Sequence, residues 1–90
     1  MKFFIYIIQS WVTKRFYIGQ TQDVNKRIKR HNQGDSKYTK TQRPWKLLHV
    51  EEFITRREAV RRERYLKSPQ GWSELQEIKK SITSERSAAR

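Results

Sequence analysis

The chain has 90 residues, and 21 Lys and Arg against 9 Asp and Glu give it a formal net charge of +12 and an isoelectric point of about 10.5. This length allows one hydrophobic core but no separate substrate domain, and the charge favours a polyanion, first of all nucleic acid, as partner. The absence of cysteine excludes disulfides and thiolate metal sites, so a metal would need carboxylate ligands. The first apolar run ends at Ile8, which is too short for a signal sequence or a membrane span and predicts a cytoplasmic protein with no membrane partner.

Two apolar runs predict the first two strands. Residues 3–8 are apolar almost without interruption, which is typical of a strand covered on both faces and places it at the centre of the sheet. Residues 9–14 predict a hairpin connection, and residues 15–18 a second, antiparallel strand. Each strand carries a tyrosine, Tyr6 or Tyr17, and we expect both hydroxyls to meet on one surface patch.

A helix is predicted directly after the second strand. Asp23 fits its N-cap and Gly34 its end. The side chains that recur at helical spacing between them are Val24, Arg27, Ile28 and His31. Arg27 and His31 therefore share the inward face. The polar, basic stretch of residues 35–44 predicts a loop.

The second half of the chain predicts one strand and two helices. Residues 47–54 read as the third strand, and Thr55 with Glu58 forms a capping box for a helix that reaches about Lys67. The apolar stripe of that helix is Ala59, Val60 and Leu66. Glu63 falls on the stripe, so its carboxylate points inward and needs a partner.

The C-terminal part predicts a last helix and a tail. The apolar positions of the helix are Trp72, Leu75, Ile78 and Ile82. Residues 84–90 lack apolar periodicity and predict a disordered tail, which leaves one domain over residues 1–83. The predicted fold class is α+β, with a three-stranded antiparallel sheet, the N-terminal strand central, and flanking helices in the order ββαβαα.

A series of motifs follows this order of elements. The motifs are Phe4-Ile5-Tyr6, Tyr17-Ile18-Gly19, Arg27 with His31, Tyr38-Thr39, Arg43-Pro44-Trp45-Lys46-Leu47 and Glu63-Arg64-Tyr65-Leu66-Lys67. From about Lys2 to Gly71 the chain resembles the GIY-YIG nuclease superfamily, and more closely its small single-domain bacterial branch, which is similar to the N-terminal nuclease domain of the excinuclease C subunit. It departs from the family pattern in two places. Phe4 replaces a glycine of the first motif. The family's larger nucleases also carry a polar residue, often asparagine, late in the domain to orient the substrate or support the site, and no asparagine follows Asn32 here.

The resemblance implies hydrolysis of a phosphodiester with one divalent cation, Mg²⁺ or Mn²⁺. Glu63 falls at the family's metal-ligand position, and a hard cation of this kind takes carboxylate oxygens. Arg27 is the expected phosphate clamp, because its guanidinium offers a planar fork of donors. Tyr17 or Tyr6 is expected to contact the attacking water, and the resemblance favours Tyr17 as general base with His31 orienting it or relaying its proton.

A broad basic surface is expected to bind the nucleic acid. Its candidate residues are Lys26, Lys29, Arg30, Lys37, Tyr38, Lys40, Arg43, Trp45, Arg61 and Arg64, together with Arg56, Arg57 and Arg62 of the same helix as Glu63. Tyr38, Trp45 and Trp72 would stack on exposed bases. No recognition-helix or zinc-finger motif occurs in the sequence, so sequence-specific readout is not expected.

Three functions remain open on the sequence alone. The first is a metal-dependent endonuclease, structure-selective or non-specific, that acts on DNA rather than RNA in repair or recombination. The second is a non-catalytic nucleic-acid-binding module on the same fold, which the missing late asparagine favours. The third is a small RNA- or ribosome-associated protein whose tyrosines are core residues. A monomer that relies on an accessory protein for targeting is expected for so small a domain.

Overall fold

The computed structural model describes residues 1–34 and 37–88, without the side chains of residues 38 and 81–88. Its elements are β1 (Phe3–Ser10), β2 (Phe16–Thr21), α1 (Val24–Gln33), α2 (Lys37–Lys40), β3 (Trp45–Phe53), α3 (Arg56–Lys67), a 3₁₀ turn (Pro69–Gly71) and α4 (Trp72–Ala88). The strand order is β2-β1-β3 and both pairs are antiparallel. The predicted α+β fold with a central N-terminal strand is therefore confirmed.

Strand β1 carries the core on both of its faces. Ile5, Tyr6, Ile7 and Ile8 are each 0% exposed. Ile5 and Ile7 belong to a cluster with residues of α3 and α4, whereas Tyr6 and Ile8 belong to a second cluster against which Ile28 of α1 packs. Because side chains alternate across a strand, an unbroken apolar run is what two covered faces require.

Two helices begin and end at the capping residues that the sequence indicates. The Asp23 carboxylate accepts a hydrogen bond from the backbone amide of Lys26 at 3.0 Å, and Gly34 ends α1 with a φ of 84°. Thr55 and Glu58 form the complete capping box of α3. These caps satisfy backbone amides that a helix start leaves without a partner, which fixes the first residue of each helix.

Several boundaries differ from the predicted ones. Strand β2 continues past the predicted end at residue 18 to Thr21, because residues 19–21 pair with β1 and this pairing outweighs the weak strand preference of glycine. The short helix α2 lies inside the predicted loop, and residues 35–36 of that loop are outside the described part of the chain. Strand β3 begins at Trp45 and ends at Phe53.

The last helix is longer than the sequence predicts. Its backbone is helical to Ala88, where a tail without regular structure was expected from residue 84, and residues 89–90 lie outside the described residues. Serine, glutamate, arginine and alanine all tolerate a helix backbone without any apolar stripe. Within the described residues, no helix is both long and apolar enough to cross a bilayer.

Arg62 joins α3 to the sheet and to α4. Its Nε donates to Oε1 of Glu51 at 2.7 Å, one Nη donates to Oε2 of Glu51 at 3.0 Å, and the same group contacts Glu74. Burial raises the pKa of Glu51, but the hydrogen bonds from Arg62 and His49 outweigh it and the net pKa is lowered. The expectation that Arg62 belongs to the nucleic-acid surface is therefore wrong, because its guanidinium is committed to two carboxylates.

Candidate active site

The candidate site lies at the β2 edge of the sheet, where elements from both faces meet. Tyr17 on β2 is partly exposed, and Tyr6 lies beside it on β1 with the two ring centroids 6.3 Å apart. Helix α1 supplies Arg27 and His31 from one face. Helix α3 supplies Glu63 from the other face.

A chain of hydrogen bonds connects α1, β1 and α2. Nε of Arg27 donates to the Tyr6 hydroxyl at 3.4 Å. The same hydroxyl is 3.0 Å from Nε2 of His31, and Nδ1 of His31 is 3.0 Å from Oγ1 of Thr39. Because the buried Tyr6 hydroxyl needs an acceptor for its own proton, we infer that it donates to Nε2, so that Nδ1 carries the imidazole proton and donates to Thr39.

The electrostatics of this chain agree with a neutral histidine and a protonated tyrosine. Burial lowers the pKa of His31, and the nearby positive charge of Arg27 lowers it further. Burial also raises the pKa of Tyr6, and the hydrogen bond from Arg27 opposes this without cancelling it. The hydrogen bond to Tyr6 raises the pKa of Arg27, which keeps the guanidinium charged.

Tyr6 and His31 lie beneath the surface. Tyr6 is 0% exposed and His31 is 4% exposed. The expectation that both tyrosine hydroxyls reach a surface patch is therefore wrong for Tyr6, because helix α1 covers this face of the central strand. Both ring nitrogens of His31 have partners other than Tyr17, so the predicted relay from Tyr17 through His31 is not what the geometry shows.

Gly19 makes room for the Tyr6 ring. The two residues are direct partners across the β1–β2 pair. A Cβ atom at position 19 would lie 2.5 Å from the Tyr6 hydroxyl oxygen and 2.7 Å from Cζ, closer than real Cβ contacts allow. The glycine of Tyr17-Ile18-Gly19 is thus required by the close approach of a side chain rather than by an unusual backbone angle.

Trp45 is part of the core and does not stack on bases as predicted. It is 3% exposed, and its indole Nε1 donates to the backbone oxygen of Thr39 at 2.8 Å. The side chain of Asn32 holds the Trp45 backbone, with Oδ1 accepting from its amide at 2.6 Å and Nδ2 donating to its carbonyl at 3.2 Å. These bonds connect α1 and α2 to the start of β3, and they explain why the strand begins at Trp45.

Thr39 is the site residue that the sequence reasoning assigned no role. It is 0% exposed, its hydroxyl contacts His31, and its carbonyl accepts from Trp45. The available signal was its place in the Tyr38-Thr39 motif. A four-residue helix in a polar stretch carries too little periodicity to predict its burial.

Glu63 points toward this cluster, as its place on the α3 stripe predicts. Its side chain is 21% exposed, and the carboxylate accepts from Nζ of Lys67 at 2.8 Å. The charge of Glu63 contributes to the raised pKa of the Tyr6 hydroxyl, and Nζ of Lys67 lies 6.0 Å from the Tyr17 ring centroid. The carboxylate therefore faces the tyrosines from across the β2 edge.

The residues present fit a single hard cation. Within residues 1–34 and 37–88, no group of three or more histidine, aspartate or glutamate side chains is arranged to hold a metal. A magnesium ion, however, can be bound through one carboxylate while it keeps several waters. Glu63 is the carboxylate that would hold it, and at present its partner is the ammonium group of Lys67.

The basic surface is present at most of its predicted positions. The exposed cationic candidates are Lys26, Lys29, Arg30, Lys37, Lys40, Arg43, Arg61 and Arg64. The side chain of Tyr38 lies outside the described part of the chain. Trp72 is 60% exposed and Trp11, which the sequence reasoning passed over, is 58% exposed with Nζ of Lys46 5.9 Å from its ring centroid. The position of Trp11 in a hairpin connection was the signal that it could face outward.

Comparison with known proteins places the chain in a family. The model of the GIY-YIG catalytic domain matches residues 2–74. UPF0213 protein YazA of Bacillus subtilis is 44% identical over 69 residues, which cover 71% of this chain and 65% of YazA. A UPF0213 protein of Staphylococcus aureus strain Mu3 is 38% identical over 77 residues, which cover 84% of this chain and 93% of the relative.

Two further comparisons bear on length and fold. UPF0213 protein RBAM_000440 of Bacillus velezensis is 50% identical over 48 residues, which cover 48% of that protein. The chain therefore spans about half the length of RBAM_000440 and just under two thirds (65%) of the length of YazA. The solution NMR structure of UPF0213 protein BH0048 from Bacillus halodurans has a TM-score of 0.52 and 33% identity to this chain, and the match covers 88% of this chain and 86% of that one. The family match, the relatives and the shared fold agree, and the chain therefore belongs to the GIY-YIG family, which is a family of nuclease domains.

Proposed function

We propose that the chain is an endonuclease that hydrolyses phosphodiester bonds in DNA with one divalent cation, Mg²⁺ or Mn²⁺. One observation carries the proposal. The hydrogen-bonded chain from Arg27 through Tyr6 and His31 to Thr39 fixes a guanidinium beside the partly exposed Tyr17, and the Glu63 carboxylate faces them from α3.

Arg27 would bind the scissile phosphate. A phosphodiester repels hydroxide, so a catalyst has to neutralise charge that develops on the phosphorus oxygens. Nε of Arg27 is directed to Tyr6, which leaves the two Nη groups at the outer end of the fork for two phosphoryl oxygens. Since the guanidinium is oriented before the substrate arrives, little side-chain entropy is lost on binding.

Tyr17 would contact the attacking water and act as its base. It is the tyrosine of the pair that reaches solvent. Tyr6 and His31, which the sequence assigned to catalysis, become positioning residues, because they are buried and act through Arg27 and the ring of Tyr17. The distance between the ring centroids of Tyr17 and His31 is 5.2 Å, so the imidazole also packs against the proposed base.

Glu63 would hold the cation. When bound, such an ion supplies Lewis-acid stabilisation of the transition state and lowers the pKa of water. A cation there would compete with Lys67 for the Glu63 carboxylate, since Nζ of Lys67 is 2.8 Å from Oε2.

The substrate we propose is DNA, cut without sequence preference or according to its structure, in repair or recombination. The exposed cations lie on α1, α2 and α3 and, with Arg43, between α2 and β3, rather than on one recognition helix, and such a surface contacts phosphates and not base edges. We further propose a cytoplasmic monomer that depends on an accessory protein for targeting.

The proposal is tested by cleavage of plasmid, single-stranded and branched DNA in Mg²⁺ or Mn²⁺ at low salt. Arg27→Ala should lower the single-turnover rate by about 10²–10³-fold, the usual effect of removing one charge-stabilising donor. Arg15→Ala is the control, because Arg15 is an exposed arginine outside the candidate site and the predicted basic surface, and it should change the rate by less than about threefold. Equal rates for the wild type and Arg27→Ala would contradict the assignment.

A second candidate is a nucleic-acid-binding module without activity. The ion pair between Lys67 and Glu63 favours it, because the carboxylate already has a partner within the chain. Under this alternative the wild type binds DNA but does not cut it in either metal. Glu63→Ala would then leave binding unchanged, and neutralising exposed arginines would weaken it.

A further inference from the structure

An open cleft lies directly beside Tyr17, between β2 and the pair of helices α3 and α4. Its volume is about 380 Å³, and it is lined by Phe16, Tyr17, Ile18, Lys67, Leu75 and Lys79. Tyr17 and Lys67 also belong to the candidate active site. The cleft therefore adjoins the candidate active site at Tyr17 and Lys67.

The cleft contains two ammonium groups, each close to an aromatic ring. Nζ of Lys79 lies 4.4 Å from the Phe16 ring centroid, and Nζ of Lys67 lies 6.0 Å from the Tyr17 ring centroid. Lys79 is partly buried, and burial lowers its pKa. A phosphate in the cleft would offset that desolvation by a charge-assisted hydrogen bond.

We propose that this cleft is a phosphate subsite, in which Lys79 and Lys67 bind the DNA phosphate adjacent to the one that is cut. The inference rests on the proposed function, since it extends the path of the same strand beyond Tyr17. Lys67 takes part once its contact with Glu63 is released. The GIY-YIG match ends at residue 74, so Lys79 lies outside the matched residues.

The site is tested with Lys79→Gln against Lys80→Gln. The two lysines are neighbours on α4, but Lys79 lines the cleft and Lys80 is exposed. Binding of a single-stranded oligonucleotide is measured in EDTA over a range of salt, so that no cleavage occurs. Lys79→Gln should weaken binding about tenfold and reduce the salt slope by about 0.7, the value for one lost phosphate contact on a single strand. Lys80→Gln should weaken it by less than about twofold.

Three further measurements separate a phosphate contact from a packing effect. Lys79→Arg keeps the charge and should bind within about threefold of the wild type. In cleavage assays Lys79→Gln should raise KM about tenfold with little change in kcat, because the contact is made equally in the ground state and the transition state. Replacing the adjacent phosphate by a neutral methylphosphonate, after the cut has been mapped, should weaken the wild type more than Lys79→Gln, in which only the Lys67 contact is left to lose.

The outcomes are distinct for the subsite and for the nuclease. Equal losses for the two Gln variants, or a Lys79→Arg variant as weak as Lys79→Gln, would overturn the subsite while Arg27→Ala still reports on cleavage. Failure of the wild type to bind any DNA at low salt would overturn the proposed function itself, and the subsite with it.

Discussion

The contact between Gly19 and the Tyr6 ring makes a prediction about both stability and the site. Gly19→Ala would place a Cβ atom 2.5 Å from the Tyr6 hydroxyl oxygen, 2.7 Å from Cζ and 3.0 Å from Cε1. Tyr6 is 0% exposed and its hydroxyl contacts both His31 and Arg27. The ring therefore cannot move aside without breaking those hydrogen bonds or shifting β1 relative to β2.

The size of the effect follows from these two costs. Overpacking of a closely packed core costs about 1–3 kcal/mol. Loss of the buried hydrogen bond to His31 leaves a polar group without a partner, which costs about 1–3 kcal/mol. We expect Gly19→Ala to lower the free energy of unfolding by about 2–5 kcal/mol and the Tm by roughly 10 °C or more, since about 4–8 °C accompany each kcal/mol in a domain of this size.

The assay is urea and thermal denaturation of Gly19→Ala, Tyr6→Phe and the double variant. Tyr6→Phe removes the atom nearest to the new methyl group, so the double variant should be more stable than the sum of the single changes predicts, by about 1 kcal/mol or more. A Gly19→Ala variant within about 0.5 kcal/mol of the wild type, or strict additivity, would refute the steric argument.

Three further predictions concern charge, pH and stacking. Burial lowers the pKa of His31 in the folded state below 6.5, so the unfolded chain binds more protons than the folded one at lower pH. The free energy of unfolding should therefore fall as the pH drops below 6.5, by at most about 1.4 kcal/mol per pH unit. Urea titrations should show a smaller pH dependence for His31→Gln than for the wild type. Arg62→Ala should destabilise the fold by about 1–2 kcal/mol, because it leaves Glu51 without its guanidinium, whereas Arg61→Ala, at an exposed position, should be nearly neutral; equal effects in thermal denaturation would contradict the difference. Trp11→Ala should weaken binding of single-stranded DNA by about 1–3 kcal/mol through lost base stacking, and unchanged anisotropy titrations would rule that contact out.

The fold could be predicted largely because its signals are local. The apolar run of residues 3–8 indicated a strand covered on both faces, and this favoured the central position that β1 has in the sheet. Asp23 and Thr55 fixed two helix starts through hydrogen bonds within a few residues. The helix α2 could not be predicted, because four residues are too few to show a repeating apolar pattern.

The sequence predicted which side chains lie close together at the candidate site, but not how deeply each of them is buried. Tyr6, Tyr17, Arg27 and His31 do meet. How deeply they are buried depends on how far α1 covers the sheet. This is set by tertiary packing, so it cannot be read from a local sequence pattern. Trp45 shows the same limit: an aromatic residue after a basic loop fits a stacking surface and a core equally well, and only its bond to Thr39 decides.

The surroundings of Lys67 could not be predicted from the sequence. Its spacing of four residues from Glu63 is the ordinary spacing of an exposed helical ion pair. The structure places this pair next to Tyr17, where the same ammonium would compete with the proposed divalent cation for the carboxylate. The position of the ion pair beside Tyr17 follows only from the packing of α3 against the β2 edge.

The central claim is that the Glu63 carboxylate holds a catalytic cation, and the most direct test is DNA cleavage by Glu63→Gln beside DNA binding by the same preparation. Glu58→Gln serves as a control on the same helix, with its effect confined to the capping box of α3. The account predicts that Glu63→Gln binds DNA within about threefold of the wild type but cuts it at least about 10²-fold more slowly in Mn²⁺, since the metal contributes several kcal/mol to the transition state. Cleavage by Glu63→Gln at the wild-type rate would contradict it.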